Sequence, residues 1–303
     1  MHWLFEPGLL SNHTVRTALL VGLTAAIVSA IVGVFTVLRG QSFAGHALTD
    51  VATAGGAGAF LAGVAPVIGF VGGGVLGAGA MDAIGVQRVK GRDIATGVVL
   101  GAATGLSALF LYLSATSSAS TGATQLILFG SIFTVQPSTL PEVVLLSLVV
   151  LLTIAFIARP LLLSSLSVEL AAARGVRVRL VGLAFMVVLA VSVGLSAIVI
   201  GSILSTALLI GPPASALKLV NRFWVGAAIA VVLGVGATWA GIVCAYDSYY
   251  WVPSHRGLPV SFFVVAFVVA EFALISLVHR RRRGRPATAM DNSSHHVETQ
   301  WHS

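Results

Sequence analysis

The chain is a succession of long apolar stretches separated by short polar breaks. A membrane-spanning helix needs ~20 predominantly apolar residues, and the pattern therefore predicts about nine such helices. The predicted spans are residues 16–38, 43–66, 67–86, 94–114, 140–158, 180–198, 202–220, 223–243 and 258–279. A shorter apolar stretch at 125–135 fits either a re-entrant or interfacial segment or an extra span. The expected fold class is an all-α, polytopic membrane bundle of about eight to nine transmembrane helices.

Composition supports the same class. Of the 303 residues, 57% are hydrophobic and 9% are charged, and the mean hydropathy is +1.00. Soluble domains carry roughly 25% charged residues. The single cysteine, Cys244, excludes a framework of disulfides within the chain.

The net charge of +7 is explained by membrane topology. With the N-terminus outside and the C-terminus in the cytoplasm, all of the 17 Lys and Arg residues except Arg16 and Arg256 fall on the cytoplasmic side. A nucleic-acid partner is therefore not expected. The predicted organisation is an extracytoplasmic N-terminus (1–15), a transmembrane domain in the bilayer (16–279) and a disordered cytoplasmic tail (280–303).

Four ionisable side chains are predicted at membrane depth, where such groups by default mark a pathway. His46 and Asp50 are four residues apart, which places them on one face of a helix. An imidazole and a carboxylate together suit a divalent transition metal. The alternative is a polar pair at the start of a helix near the inner surface. Asp82 and Glu271 are possible further pathway residues, although Asp82 lies close enough to Arg88 to be interfacial or ion-paired.

A cytoplasmic segment at 164–179 is predicted to contain a short helix. Ser167 can cap its N-terminus, and Gly175 can end it. Such a helix could seat in a cleft of a soluble partner, or it could simply lie among lipid headgroups. Neither Lys90 nor Lys218 lies in a G-x-x-x-x-G-K-[ST] sequence, so ATP binding by the chain itself is not expected and the chain is not predicted to be an enzyme.

Glycines are frequent in two of the predicted spans. Gly97, Gly101 and Gly105 form overlapping G-x-x-x-G units, and a second glycine-rich run lies at 72–79. Small residues at such spacing let helices approach closely. Both runs are therefore expected to pack against neighbouring helices.

Several motifs in register carry a resemblance to a known family. They are R-G at 39–40 with G-H-A-L-T-D-V-A at 45–52, R-D-I-A-T-G at 92–97, L-F-G-S-I at 128–132, E-L-A with G-V at 169–176, G-S-I-L with A-L-L-I-G-P-P-A-S-A at 201–216, and S-Y-Y at 248–250 with Pro253. Together they span roughly residues 15–280. The chain thereby resembles the permease subunits of bacterial metal-ion ABC importers, the zinc, manganese and iron family also called ABC-3.

The resemblance implies a type II-like importer permease fold in the bacterial plasma membrane. It implies a second permease copy, cytoplasmic ATP-binding subunits that dock on a coupling helix at Glu169, Ala171 and Gly175, and an extracytoplasmic metal-binding protein. No permanently bound cofactor is implied, because the divalent metal ion is cargo. His46 and Asp50 fall where the family's motif has its metal ligands.

The sequence departs from the family's pattern in the order of those two residues. The family shows G-D-A-L-S-H-A, whereas this chain has His46 at the aspartate position and Asp50 at the histidine position. Ser167 also stands where the family often has Asp. Two other interpretations remain open: a permease for iron chelates or cobalamin-type cargo, and a secondary transporter that works without an ATPase.

Overall fold

The computed structural model describes residues 12–84, 92–117, 127–130, 132–134, 139–251 and 257–283, and this part of the chain is helical throughout its regular structure. The helices are α1 (His13–Leu38), α2 (Ser42–Leu61), α3 (Pro66–Ile84), α4 (Arg92–Ser117), α5 (Leu140–Leu166), α6 (Val168–Ala173), α7 (Val178–Ile200), α8 (Ser202–Leu219), α9 (Phe223–Trp251) and α10 (Val260–Arg283). A short 3-10 turn lies at Ile132–Thr134. The all-α prediction is confirmed.

Within the described ranges, 7 helices are long and apolar enough to cross a membrane: α1, α3, α4, α5, α7, α9 and α10. The remaining long helices, α2 and α8, coincide with the predicted spans 43–66 and 202–220. The predicted total of about eight to nine spans is therefore not confirmed. Helix α2 contains the polar residues His46 and Asp50, and α8 contains two prolines, Pro212 and Pro213.

The bundle is built around α1 and α7. Helix α1 packs against α5, α7, α8 and α9, whereas α2 packs against α3, α4, α7 and α8. The core contains the fully buried side chains of Phe35, Phe185, Leu189, Leu208 and Leu209. On the outside, α3, α4 and α5 present large apolar residues, as a protein surrounded by lipid requires.

One end of the bundle is defined by the short helix α6, and we call it the α6 end. Arg39, at the end of α1, hydrogen-bonds Ser164 at the end of α5. Asp82, near the end of α3, pairs with Arg179 at the start of α7. Lys218, at the end of α8, donates a 2.8 Å hydrogen bond to Ser276 on α10. Among the described residues, the basic side chains of Arg39, Arg179 and Lys218 therefore lie at this end.

A close helix contact in the site half of the bundle joins α2 to α3 through glycines. A Cβ on Gly55 would lie 2.2 Å from the carbonyl oxygen of Gly69 and 2.8 Å from the Cα of Gly73. The two backbones touch directly, which only glycine permits. The expected packing of the 72–79 run is thus seen at Gly73, and also at Gly74 and Gly77.

The same expectation is wrong within this chain for the G-x-x-x-G run of α4. A Cβ on Gly97, Gly101 or Gly105 would meet no atom within 4 Å. The physical reason is the rotation of α4, which turns Thr104 and Ser107 toward α2 instead. Helix α4 therefore meets α2 through these polar contacts and through the apolar side chains of Phe110 and Leu111, and not through its own glycines.

The short apolar stretch at 125–135 forms no long helix in its described residues, 127–130 and 132–134. Ile132 is buried in the core. Gly201, between α7 and α8, has a φ of +85°, and a Cβ there would lie 2.3 Å from the carbonyl oxygen of Leu128. The stretch is thus held against the α7–α8 junction, and two of the family-like motifs, L-F-G-S-I and G-S-I-L, meet in space.

The last helix extends about one turn past residue 280, where the C-terminal tail was predicted to begin. Helix α10 continues through Arg283, so Arg280 to Arg283 are helical and not disordered. The rest of the predicted tail, 284–303, lies outside the described residues, as does nearly all of the predicted N-terminal segment 1–15.

The glycine contacts give a matched pair of substitutions. Gly55→Ala is expected to destabilise the protein strongly, because the added methyl group must push α2 and α3 apart. Gly101→Ala adds the same group in open space on a helix, where alanine is favoured over glycine by roughly 0.5–1 kcal/mol. Thermal unfolding of the purified protein in detergent measures both, and an equal loss of stability in the two variants would contradict the contact.

Candidate functional site

The candidate site lies on α2, about one to two turns from the start of the helix at the α6 end. His46 is partly buried, and its Nδ1 lies 3.0 Å from the hydroxyl oxygen of Thr206 on α8. Gly45 lets the helices approach here, because a Cβ at that position would lie 3.0 Å from the side chain of Leu209. The imidazole is therefore fixed by a contact between α2 and α8.

One turn further along α2, Asp50 is held by α4. The hydroxyl of Thr104 donates a 2.6 Å hydrogen bond to Asp50 Oδ2. The hydroxyl of Ser107 donates a second bond, of 3.1 Å, to the backbone carbonyl oxygen of Asp50. The carboxylate and its stretch of backbone are thus both tied to the same neighbouring helix.

The two candidate ligands share one arrangement. Each uses one polar atom, Nδ1 of His46 or Oδ2 of Asp50, in a hydrogen bond to a threonine hydroxyl on another helix. The bond at Nδ1 leaves Nε2 as the ring nitrogen for a ligand, and the carboxylate retains Oδ1. Metal ligands in proteins are commonly oriented by such hydrogen bonds from outside the coordination shell.

The candidate site offers an ion two protein side chains. Among the described residues, no group of at least 3 His, Cys, Asp or Glu side chains is placed to hold an ion. Water, backbone oxygen or the threonine hydroxyls would have to complete a shell. An incomplete protein shell suits an ion that must also leave.

Asp82, a possible pathway residue, is close to Arg179. Its Oδ2 lies 3.6 Å from Arg179 Nη2 at the α6 end, with the aspartate side chain 10% exposed and the arginine 82% exposed. The ion pair joins the end of α3 to the start of α7. This favours the ion-paired interpretation over a role in a pathway.

Glu271, the other possible pathway residue, lies on α10. Its Oε2 is buried, and among the described residues it has no hydrogen-bond partner. The residue is separated from α2 because α10 packs mainly against α8 and α9. The structure does not bring Glu271 together with His46 and Asp50 in a metal-binding group.

The short helix α6 has the predicted caps. Ser167 Oγ accepts a 3.1 Å hydrogen bond from the backbone N–H of Leu170, and it also donates to Glu169. Gly175 has a φ of +77°, and the N–H groups of Gly175 and Val176 bond back to Ala172 and Ala171. A serine therefore caps this helix as well as the aspartate of the family's pattern could.

The surface around α6 is apolar and exposed. Leu166 is 85% exposed, and Val168 and Leu170 are about half exposed, whereas Ala171 is fully buried. Glu169 also faces outward. A short, capped helix with apolar side chains pointing out of the bundle is suited to contact with a partner protein.

Sequence reasoning missed the threonines that hold the site. Thr104 lies inside the G-x-x-x-G run, which was interpreted only as a packing motif, and Thr206 lies in the apolar start of α8. The signal that could have found them is the rule that a buried polar group has a hydrogen-bond partner. His46 and Asp50 are only partly buried, and Thr104 is exposed, so that rule favours partners for them without saying which helix supplies them.

The fold and the site together define a class: a helical membrane permease with a polar helix inside an apolar bundle and a short docking helix at one end. The comparison with protein families agrees. Residues 11–274 match the model of the ABC 3 transport family, and the chain belongs to this family. The resemblance to permeases of metal-ion ABC importers is thereby confirmed.

Relatives and solved structures extend this result. The chain is 30% identical over 269 residues to the manganese import system permease protein ScaB of Streptococcus parasanguinis, which covers 88% of this chain and 94% of the relative. It is 31% identical to the manganese transport system membrane protein MntC of Halalkalibacterium halodurans, over 78% of this chain and 80% of the relative.

A solved structure has the same fold. The structure of PsaBC from Streptococcus pneumoniae in complex with Fab superposes with a TM-score of 0.78 at 25% identity, covering 91% of this chain and 96% of that chain. A putative metal-chelate type ABC transporter in an inward-facing conformation superposes with a TM-score of 0.71 at 16% identity, covering 89% of this chain and 88% of that chain. At the latter identity the likeness concerns the fold alone.

Proposed function

We propose that the protein is the membrane permease of an ATP-driven importer that moves manganese into the cytoplasm, and that His46 and Asp50 bind the ion in transit. The observation that carries the site is the pair of threonine bonds, His46 to Thr206 and Asp50 to Thr104. They hold an imidazole and a carboxylate on one face of α2 with one ligand atom of each left for an ion. The manganese importers among the relatives support the choice of cargo.

The ligand chemistry agrees with manganese. Carboxylate, water and hydroxyl oxygens suit Mn²⁺, and an imidazole adds affinity for first-row transition metals. The single cysteine, Cys244, lies on α9, away from this pair. A permease for iron is the second candidate, favoured by a 28% identical relative described as a probable iron transport system membrane protein of Haemophilus influenzae.

The proposed assembly follows the family. Two permease copies form the pathway, ATP-binding subunits dock on α6 at Glu169, Ala171 and Gly175, and an extracytoplasmic protein delivers the ion. The α6 end is then cytoplasmic, in keeping with the basic residues that gather there. The N-terminus lies outside and the C-terminus inside, and the membrane is the bacterial plasma membrane.

The site is tested by metal retention. His46→Ala and Asp50→Asn are expected to weaken retention of Mn²⁺ by the purified complex by at least roughly 100-fold, since loss of a ligand costs no less than loss of its supporting partner. Asp82→Asn is the matched control, because it removes another partly buried carboxylate that is paired with Arg179. Equilibrium dialysis with Mn²⁺, Zn²⁺ and Fe²⁺ provides the measurement.

Three other results of that experiment would each change a different part of the proposal. Unchanged retention in both site variants would refute the assignment of His46 and Asp50. Loss of retention in Asp82→Asn would restore Asp82 as a pathway residue. Tighter retention of Fe²⁺ or Zn²⁺ than of Mn²⁺ would change the cargo and leave the site intact.

The threonine bonds are tested separately. Thr104→Val keeps the shape of the side chain but removes the hydroxyl that donates to Asp50, and it is expected to weaken Mn²⁺ retention by roughly tenfold or more. Thr116→Val is the control on the same helix, because the Thr116 hydroxyl bonds only within α4, to the carbonyls of Tyr112 and Leu113. Equal affinities in the two variants would count against a supporting role for Thr104.

The dependence on an ATPase is tested at the end of α6. Gly175→Ala forces a side chain into a left-handed backbone at a cost on the order of 1 kcal/mol, and it is expected to reduce co-purification of the ATP-binding subunit. Gly63→Ala is a close control: Gly63 has a φ of +72° and open space around it, as Gly175 does, but it lies in the turn between α2 and α3. Uptake that needs neither ATP nor an associated ATPase would instead indicate a secondary transporter.

A further inference from the structure

Arg39 occupies a junction that the proposed transport cycle does not by itself explain. It ends α1 and precedes the first turn of α2, which begins at Ser42. Its Nη1 donates hydrogen bonds of 3.0 Å to Ser164 Oγ and 3.3 Å to Ser165 Oγ, both at the end of α5. Its guanidinium also lies 5.6 Å from the centre of the Phe185 ring on α7.

These contacts are specific to an arginine. The hydroxyls of Ser164 and Ser165 both donate to the carbonyl oxygen of Leu161, at 2.9 and 2.6 Å, so their oxygens are left to accept from Arg39. A planar guanidinium can donate at its edge and place its face on an aromatic ring at the same time. Phe185 is in turn packed against Phe35, with ring centres 6.4 Å apart.

The helices that Arg39 contacts are the two that carry α6. Helix α5 ends at Leu166, Ser167 caps α6, and α7 begins at Val178. Arg39 is therefore bound to the element before α6 and to the element after it. On its other side, the backbone leads directly into α2, where His46 lies about 6 Å along the helix axis from Ser42, at a rise of 1.5 Å per residue.

We infer that Arg39 is the coupling residue that transmits movement of α6 to the metal site on α2. The inference rests on the proposed function. A displacement of α6 by an ATP-binding subunit moves the ends of α5 and α7, and Arg39 carries that movement to the start of α2. Another tie at this end, Asp82 to Arg179, joins α3 to α7 at 3.6 Å, but its arginine is 82% exposed, and ion pairs open to solvent contribute little.

The test compares uptake with ATP hydrolysis. The full complex of the permease, its ATP-binding subunit and the delivery protein is reconstituted in vesicles, and Mn²⁺ uptake per ATP hydrolysed is measured. Arg39→Gln is expected to lower this ratio by roughly fivefold or more, the lower range of typical coupling between sites. Retention of Mn²⁺ is expected to stay within twofold of wild type, because His46 and Asp50 keep Thr206 and Thr104 as partners.

Two further variants complete the experiment. The double variant Ser164→Ala with Ser165→Ala is expected to lower the ratio in the same direction, and adding it to Arg39→Gln is expected to cause no additional loss, as for residues that act as one unit. Arg222→Gln removes an exposed arginine from the turn between α8 and α9 at the same end, and it is expected to leave the ratio unchanged.

A ratio within twofold of wild type for Arg39→Gln would overturn the inference. This includes a proportional fall of uptake and hydrolysis together, which leaves the ratio unchanged and is the result expected of a merely structural arginine.

A readout independent of cargo separates this inference from the proposed function. Since Cys244 is the only cysteine, a Cys244→Ser background with Ser42→Cys places one thiol at the start of α2. Its labelling rate is expected to depend on whether the complex holds ATP, and Arg39→Gln is expected to abolish that dependence. Wild-type complex that moves no divalent ion would refute the proposed function, whereas retained ATP dependence in Arg39→Gln would refute the coupling role.

Discussion

The central constraint on this structure is that α2 must carry an imidazole and a carboxylate through an apolar bundle. A polar group away from water has to find its partners inside the protein. The partners here are hydroxyls on two different helices, Thr206 on α8 and Thr104 on α4. The positions of α4 and α8 around α2 are therefore fixed by hydrogen bonds as well as by packing.

The remaining side of α2 packs against α3. Polar α2 is shielded from lipid by α3, and the two helices meet backbone to backbone at Gly55, Gly69 and Gly73. Without a hydrophobic driving force between helices in lipid, such close packing is a main source of their association. The glycines and the threonines thus have separate roles, because the glycines let α2 pack closely against α3 and the threonines orient His46 and Asp50.

The sequence predicted the elements well because each depends on local composition. Apolar length places the start of each helix to within a few residues, although α5 and α9 run eight residues past the predicted spans 140–158 and 223–243. Ser167 and Gly175 mark the ends of α6 because capping is a local interaction. The rotation of a helix is not local. The G-x-x-x-G run of α4 was expected to pack, yet its glycines face open space, because the bonds of Thr104 and Ser107 to α2 decide which side of α4 turns inward.

In the candidate site, too, the sequence predicts local features but not contacts between distant residues. The spacing of His46 and Asp50 gives one helical face, because that follows from the geometry of a helix. Their partners come from residues 54 and 160 positions away along the chain, and no local pattern identifies them. Arg39 is a comparable case: its position beside α2 is evident from the sequence, but its bonds to Ser164 and Ser165 depend on how α5 returns to the same end.

The hydrogen-bond partners of His46 and Asp50 can accommodate either order of the two side chains. Exchanging His and Asp at positions 46 and 50 moves each side chain by about 6 Å along the axis of α2, so each meets the neighbour that the other would have met. A hydroxyl can donate to a carboxylate or accept from an imidazole N–H. Thr104 and Thr206 can therefore support either residue, and a threonine on each flanking helix removes any electrostatic reason for one fixed order. Had either partner been an ionised aspartate, which only accepts, the exchange would have placed a second carboxylate opposite it, and the two groups could not have formed a hydrogen bond.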